Sequence, residues 1–466
     1  MNMWKCIKIA PAFAAMLLCY DACAQILLNT PRVVEQTHSL FDEMLIRIYQ
    51  SHPRLNAERT NVKISDEKVS QANAGYRPTA TVDGSIGRQR EKVAGQSWNY
   101  GEDTAVSLNA VQPLFNGFGT LEQKRAAETR VLAARARLLV IEQNILFTAV
   151  SDWLDLCEKE RILALNISNI ERMKHYANAT DARFKAGDGT QTDVSQSESR
   201  MAQSEARYAV AFADRNSASA AFERDTGFVA PPVEFPNMPK GLPISLEETE
   251  ERARGNPQLI QARQEETAAL HDIEVSESSL WPNVYLRGSI SQEHSPALGL
   301  NRLRNDSITL NVTIPLYQGG GEYSRIREAK LAHERSRYDE IDIGRDVLQR
   351  ARVSWYNYAS ASSVIVASQH ASDASKRALD GVQEEQKQGL RTLTEVLDEQ
   401  AEWLSAQITE AQAQKTLRVE AYRLLAATGK LTGEYLHLAD RSYDPLPHHD
   451  DVVPRWAGTD IAQWEK

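Results

Sequence analysis

What most constrains this chain is that it is written twice. Arg77-Pro78-Thr79-Ala80-Thr81-Val82-Asp83-Gly84-Ser85-Ile86 lines up with Trp281-Pro282-Asn283-Val284-Tyr285-Leu286-Arg287-Gly288-Ser289-Ile290 at an offset of 204. Pro113-Leu114-Phe115-Asn116-Gly117 matches Pro315-Leu316-Tyr317-Gln318-Gly319 at an offset of 202. The offset of 202 also carries Trp153 onto Trp355, Gly187 onto Gly389, Val194 onto Val396 and Gly227 onto Gly429. One half therefore duplicates the other, and a fold must be sought that uses the same unit twice.

Each half reads as helix, strand, loop, strand, long helix, turn, helix. In the second half Ile308, Leu310, Val312, Ile314 and Leu316 alternate with polar residues, as do Val284, Leu286 and Ile290. In the first half Ala80, Val82 and Ile86, and Val106, Leu108 and Ala110, alternate the same way. Period two of this kind marks a strand with one apolar face. Four such strands of about ten residues suit a tilted membrane crossing, although a half-buried soluble sheet shows the same alternation.

Two runs of 67 residues decide the rest. Thr120 to Ala186 contains neither Gly nor Pro, and Glu322 to Gln388 contains no Pro and only Gly344 and Gly381. Both are rich in good helix formers, and each would extend about 100 Å. Helices that long belong to a coiled-coil-like assembly of rods. Val131, Leu138 and Ile145 are spaced as heptads, but Asp152 breaks the seam, which suits helices with two neighbours each. The runs stop at Gly187 and Gly389, placed for a left-handed C-cap.

These signals divide the chain into a signal peptide, 1–24; a first repeat, 25–230; a Pro-rich linker, 231–244; a second repeat, 245–430; and an irregular tail, 431–466. In the first repeat, strands are expected at about 78–88 and 104–114, the long helix at 119–186 and the return helix at 194–226. In the second, strands fall at about 282–291 and 306–316, the long helix at 321–388 and the return helix at 396–428. The leader is read from Lys5 and Lys8, the apolar stretch Ile9 to Leu18, and the small residues Ala22-Cys23-Ala24. It is too short to span a bilayer.

Composition excludes several functions. The formal net charge is −10, and loss of Lys5 and Lys8 against Asp21 makes it more negative. No nucleic-acid partner is expected, because phosphates demand a basic footprint. Of four cysteines only Cys157 lies beyond the leader, so no disulfide framework or cysteine metal site follows. Gly117-Phe118-Gly119 and Gly319-Gly320-Gly321 lack the Lys-Ser/Thr of a phosphate loop and read as backbone hinges. His448 and His449 read as part of a solvated tail. Trp153 and Trp355 read as packing anchors. No cofactor, metal or catalytic set is expected.

A sheet of four strands cannot close a barrel, so membrane strands here require self-association. The junctions at Pro113 to Gly119 and Pro315 to Gly321 are short, so the helices should continue the barrel axis as a tube. At this point the chain resembles the TolC family of outer-membrane factors. The resemblance is carried by the two strand-to-helix junctions (Pro113, Gly117, Pro315, Gly319), the tip Gly389-Leu390-Arg391-Thr392-Leu393-Thr394-Glu395-Val396-Leu397-Asp398 and the close Leu424-Leu425-Ala426-Ala427-Thr428-Gly429. It implies a mixed α and β fold: a duplicated unit giving a long α-helical coiled-coil barrel joined to a transmembrane β-barrel completed by trimerisation. It further implies a passive exit duct in the outer membrane, docked to a periplasmic adaptor and an inner-membrane ABC or proton-driven pump. Tyr443-Asp444-Pro445 and Asp451-Val452-Val453-Pro454-Arg455-Trp456-Ala457-Gly458 resemble the ending of members that serve type I, ABC-driven secretion. The alternatives are the duct of a multidrug, solvent or metal efflux pump and, in a different class, a periplasmic coiled-coil adaptor.

The resemblance also assigns the tip. Glu395 and Asp398 share a helical face and would form two acidic rings at the constriction of a trimer. Arg391 matches the arginine that tethers the closed tip, and Thr192 and Asp193 match its partners on the neighbouring turn. The family's tip tyrosine is replaced by Gln386. Thr392-Leu393-Thr394-Glu395 is also a capping box, and Thr190 to Asp193 a near variant. Capping accounts for Glu395 but not for Asp398. At the strict offset the first-half counterparts of Arg391, Glu395 and Asp398 are Gly189, Asp193 and Gln196, so the halves differ most where a gate is expected.

Overall fold

The computed structural model describes residues 39–461 apart from 93, 96, 296–299 and 439–442. The expected leader, 1–24, lies outside the described residues. The chain runs α1 (Leu40–Ser51), α2 (Pro53–Asn73), β1 (Thr79–Glu91), β2 (Asn99–Asn116), α3 (Gly119–Lys185) and α4 (Gln191–Thr226). The second half follows as α5 (Leu246–Ala253), α6 (Pro257–Glu277), β3 (Asn283–Ser295), β4 (Leu300–Thr313), α7 (Gly321–Lys387) and α8 (Leu393–Ala427), with a short α9 (Leu446–Val452) in the tail.

The duplication is visible in the caps. α2 and α6 each have Pro at the first turn, where its missing N–H costs nothing. Their N-caps, His52 and Asn256, accept from Arg54 N at 3.2 Å and Gln258 N at 2.9 Å. The long helices α3 and α7 each span 67 residues. Both are stopped by a glycine in the left-handed region, Gly187 at φ 82 and Gly389 at φ 78. There Asp188 N reaches back to Arg183 O, and Leu390 N to Glu385 O, each at 2.9 Å, satisfying carbonyls that the helix end orphans.

Helices pack along α3 in two tiers. Near the strands its neighbours are α2 and α6, as the pair Glu122 to His271 Nδ1 at 2.7 Å illustrates. Toward the glycine turn they are α4 and α8, where Asn169 Nδ2 donates to Ser204 Oγ at 3.0 Å. α7 likewise packs on α6 and then α8. Between the tiers lies the main apolar core. Trp153, 1% exposed, meets Phe41 edge-on at 5.6 Å and Phe222 at 6.1 Å, while its indole N–H donates to Glu234 O at 3.0 Å. Trp355, its repeat counterpart, is only half-buried and does not anchor a comparable core. α7 leaves Leu331 65%, Tyr338 63% and Tyr356 61% exposed.

The four strands form one antiparallel sheet in the order β1-β2-β3-β4. Asn116 pairs with Asn283 and Thr79 with Val111, so every connection to a helix leaves from one end and both hairpins lie at the other. The register sets Val82 beside Leu108, Leu108 beside Ile290, and Leu286 beside Leu310 on one face. That face is bare: Val82 is 71%, Ile86 81% and Ile308 80% exposed. A soluble half-buried sheet would have covered it. The opposite face is polar and knitted together, for example Asn109 Nδ2 to Asp83 Oδ2 at 3.0 Å.

Three differences from the sequence reading have physical causes. β2 begins at Asn99 rather than 104 and β3 runs to Ser295 rather than 291, because polar residues continue the hairpins beyond the apolar band. β4 ends at Thr313, so Pro315 lies past the strand, whereas Pro113 stays inside β2 next to a bulge. Finally, the tail is not simply irregular and solvated. α9 forms at 446–452 and lays His448, 6% exposed, against Asp66 of α2, which is fully buried.

Candidate pore constriction

The site is assembled at the far ends of the two helical hairpins. Thr190 and Thr392 are N-caps of α4 and α8, and each completes a capping box with the acid three residues on. Asp193 accepts from Thr190 N at 3.2 Å and Thr190 Oγ1 at 2.8 Å. Glu395 accepts from Thr392 N at 2.8 Å, and Arg391 reaches the same carboxylate at 2.7 Å and Glu385 at 2.8 Å. The Thr392 backbone N–H first, then Arg391, hold the Glu395 carboxyl down to about 2. Arg391 is correspondingly held above the usual guanidinium range, chiefly by Glu395 and then Glu385. Glu395 is thus both cap and ion-pair partner.

Asp398 has a different environment. Its carboxylate pairs with Arg200 of α4, on the other hairpin of the same subunit. One turn closer to the tip, Thr394 Oγ1 donates to Gln196 Oε1 at 2.6 Å. The two acids expected to form rings each carry a cation within the chain, Glu395 from its own turn and Asp398 from across the seam. Among the described residues no hydrogen bond or ion pair joins Arg391 to Thr192 or Asp193. Thr192 is exposed, and Asp193 is occupied by its cap. The sequence reading missed Arg200, although its spacing from Asp193 and Gln196 puts all three on one helical face.

The junctions at the sheet end are unequal. Gly117 has φ 65, and a Cβ there would lie 2.4 Å from Trp281 Cβ and 2.7 Å from Ser278 O. Gly319, at φ 77, has nothing within 4 Å of such an atom. Asn116 braces the first junction, its Nδ2 donating to Thr120 Oγ1 at 2.6 Å. In the second, Gln318 Nε2 donates to Ser279 O at 3.1 Å. No helix among the described residues is long and apolar enough to cross a membrane.

Comparison with known proteins agrees with this geometry. The family described as outer membrane efflux protein matches twice, over residues 45–227 and 250–430, once per repeat. The outer membrane efflux protein BepC of Brucella suis is 32% identical over 417 residues, covering 89% of this chain and 90% of that protein. The alkaline protease secretion protein AprF of Pseudomonas aeruginosa is 24% identical over 56% of each chain. The crystal structure of the Campylobacter jejuni CmeC outer membrane channel superimposes with a TM-score of 0.75, at 14% identity and covering 89% of both chains. Matched once in each repeat and over nine-tenths of a relative's length, this chain belongs to the outer membrane efflux protein family and is a channel protein of the outer membrane.

Proposed function

We propose that three copies of this chain form one duct, and that the duct is the exit of a type I, ABC-driven protein secretion system. The observation that carries the duct is the bare apolar face of a four-stranded sheet open at both edges, mounted on helices about 100 Å long. Unpaired edges cost several kcal/mol per group in lipid, so other copies must supply strands. Three copies give twelve, within the range of membrane barrels. The exposed Leu331, Tyr338 and Tyr356 of α7 supply a surface for the neighbouring copy. A periplasmic adaptor and an inner-membrane pump complete the path, with the α3/α4 and α7/α8 turns as the docking and gating end.

The type I assignment is supported by the likeness to the alkaline protease secretion protein AprF and by the resemblance of the tail, 443–458, to the ending of type I members. The efflux reading is favoured by BepC, the more similar of the two relatives. Deleting the gene and restoring it on a plasmid separates them. Type I secretion predicts that one or a few large proteins vanish from the medium while resistance to dyes and detergents changes little. An intact secreted proteome with raised susceptibility overturns it in favour of efflux. Native mass in detergent tests the duct itself: a trimer is expected, and a detergent-independent soluble monomer points instead to an adaptor.

A further inference from the structure

Close to the tip, the α3/α4 and α7/α8 hairpins meet along a seam that mixes ion pairs and side-chain amides with the buried Met173 and Leu397. Asp398 of α8 pairs with Arg200 of α4, and Thr394 with Gln196 one turn away. Farther along, Trp403 of α8 lies under Arg172 of α3 and Lys376 of α7, each 5.1 Å from its ring centre. The interior of the seam is incompletely satisfied. Gln400 is 1% exposed, yet neither its amide nitrogen nor its oxygen has a partner, and Asn169 Oδ1 is likewise alone. A void of about 10 Å³ beside Gln400, Asn169 and Arg200 has room for about one water. The core around Trp153 is apolar by contrast, and parting it would expose large apolar area to water. Parting the seam exposes Met173 and Leu397, which lie outside that core, but otherwise hydrates groups that are poorly or weakly paired, so it costs less than parting the core. Of the two contacts, the seam is the one at which the hairpins separate more cheaply.

The two acids respond oppositely to such a separation. Glu395 keeps Arg391, because both sit on the same turn. Asp398 loses Arg200, because that partner stays with the other hairpin. We propose that Arg200 is the built-in counter-ion of the constriction: it cancels Asp398 while the hairpins touch and uncovers it as they part. Opening then creates a ring of carboxylates, so the pore becomes cation-selective as it widens. The inference rests on the trimeric duct proposed above and adds the residue that couples its gate to its charge.

The test uses the purified protein in planar bilayers, as wild type, Arg200→Gln, Arg200→Lys and the exchange Arg200→Asp with Asp398→Arg. Conductance, the cation-to-anion permeability ratio in a salt gradient, and block by lanthanum ion are read for each. Arg200→Gln should raise conductance and the permeability ratio several-fold and be blocked at several-fold lower lanthanum. Arg200→Lys and the exchanged pair should restore low conductance, and the exchanged pair should turn anion-selective when it opens. Wild-type selectivity in Arg200→Gln, or an exchange that conducts like Arg200→Gln, overturns the proposal. If Arg200→Gln does not assemble, Asp398→Asn serves: conductance should rise with no gain in cation selectivity, and wild-type behaviour overturns the proposal. A wild-type protein that forms no channel at all removes the duct reading, and this inference with it.

Discussion

Asp152 of α3 faces Asp225 at the end of α4, with His52 and Arg224 beside them. Burial first, then the neighbouring Asp225, pushes the Asp152 carboxyl up to about 7. Arg224 holds Asp225 below the usual carboxylate range, so the pair shares one proton, carried by Asp152. The sign of the pH dependence follows. The folded state holds this proton more tightly than the unfolded chain does, so the favourable contribution is complete below about pH 4. It is lost as pH rises toward about 7. Asp225 adds no slope in that window, being ionised in both states. Replacing Asp152 by Asn should therefore flatten the thermal midpoint between about pH 4 and about pH 7, measured by the helical circular dichroism signal. A slope as steep as that of the wild type would place the titration elsewhere.

At the scale of elements, the halves agree in architecture and part company in contacts. Gly117 needs its bare Cα twice over, for a positive φ and for the ring of Trp281 packed against it, while Gly319 needs it only for φ. Gly319→Ala should cost about 1–2 kcal/mol of local strain and still give channels. Gly117→Ala must displace Trp281 or the Ser278 carbonyl, so assembled channel should fall sharply; equal yields for the two variants would refute the packing argument. The duplication, the long helices, the alternating strands and the capping boxes could all be read along the chain, because each is local and carries its own period or spacing. Trp281 over Gly117 could not, since it joins one half to the other. Nor could the pairing of Arg200 with Asp398, which lie 198 residues apart. Alignment of repeats predicts what the halves share and is silent on how one touches the other. The same limit hid the buried setting of His448: nothing local distinguishes a docked tail from a loose one.

For the whole molecule, the tail ties α2 to the start of the sheet. Asp66 lies between His448 Nδ1 at 3.2 Å and His449 Nδ1 at 3.0 Å, with Arg135 at 3.9 Å. Arg77, just ahead of β1, donates to Val453 O at 3.3 Å and to Arg455 O at 2.5 Å, and lies 5.0 Å from the ring centre of Trp456. Replacing both histidines by Ala leaves a buried carboxylate short of partners, at about 1–3 kcal/mol. Thermal unfolding should register that loss, and Asp66→Asn added to the double variant should recover part of it. No recovery would mean that the histidines act through packing alone. The open edges of the sheet reach further still, into how the protein is made. In the trimeric duct proposed above, a lone copy would have its helical rods complete but no acceptable way to enter lipid, so folding of the rods should precede insertion of the strands. Insertion should then wait for copies to meet, with a rate that climbs steeply with their local concentration. A variant crippled at the tip but intact at both strand edges will still be recruited, and will poison the normal copies it joins.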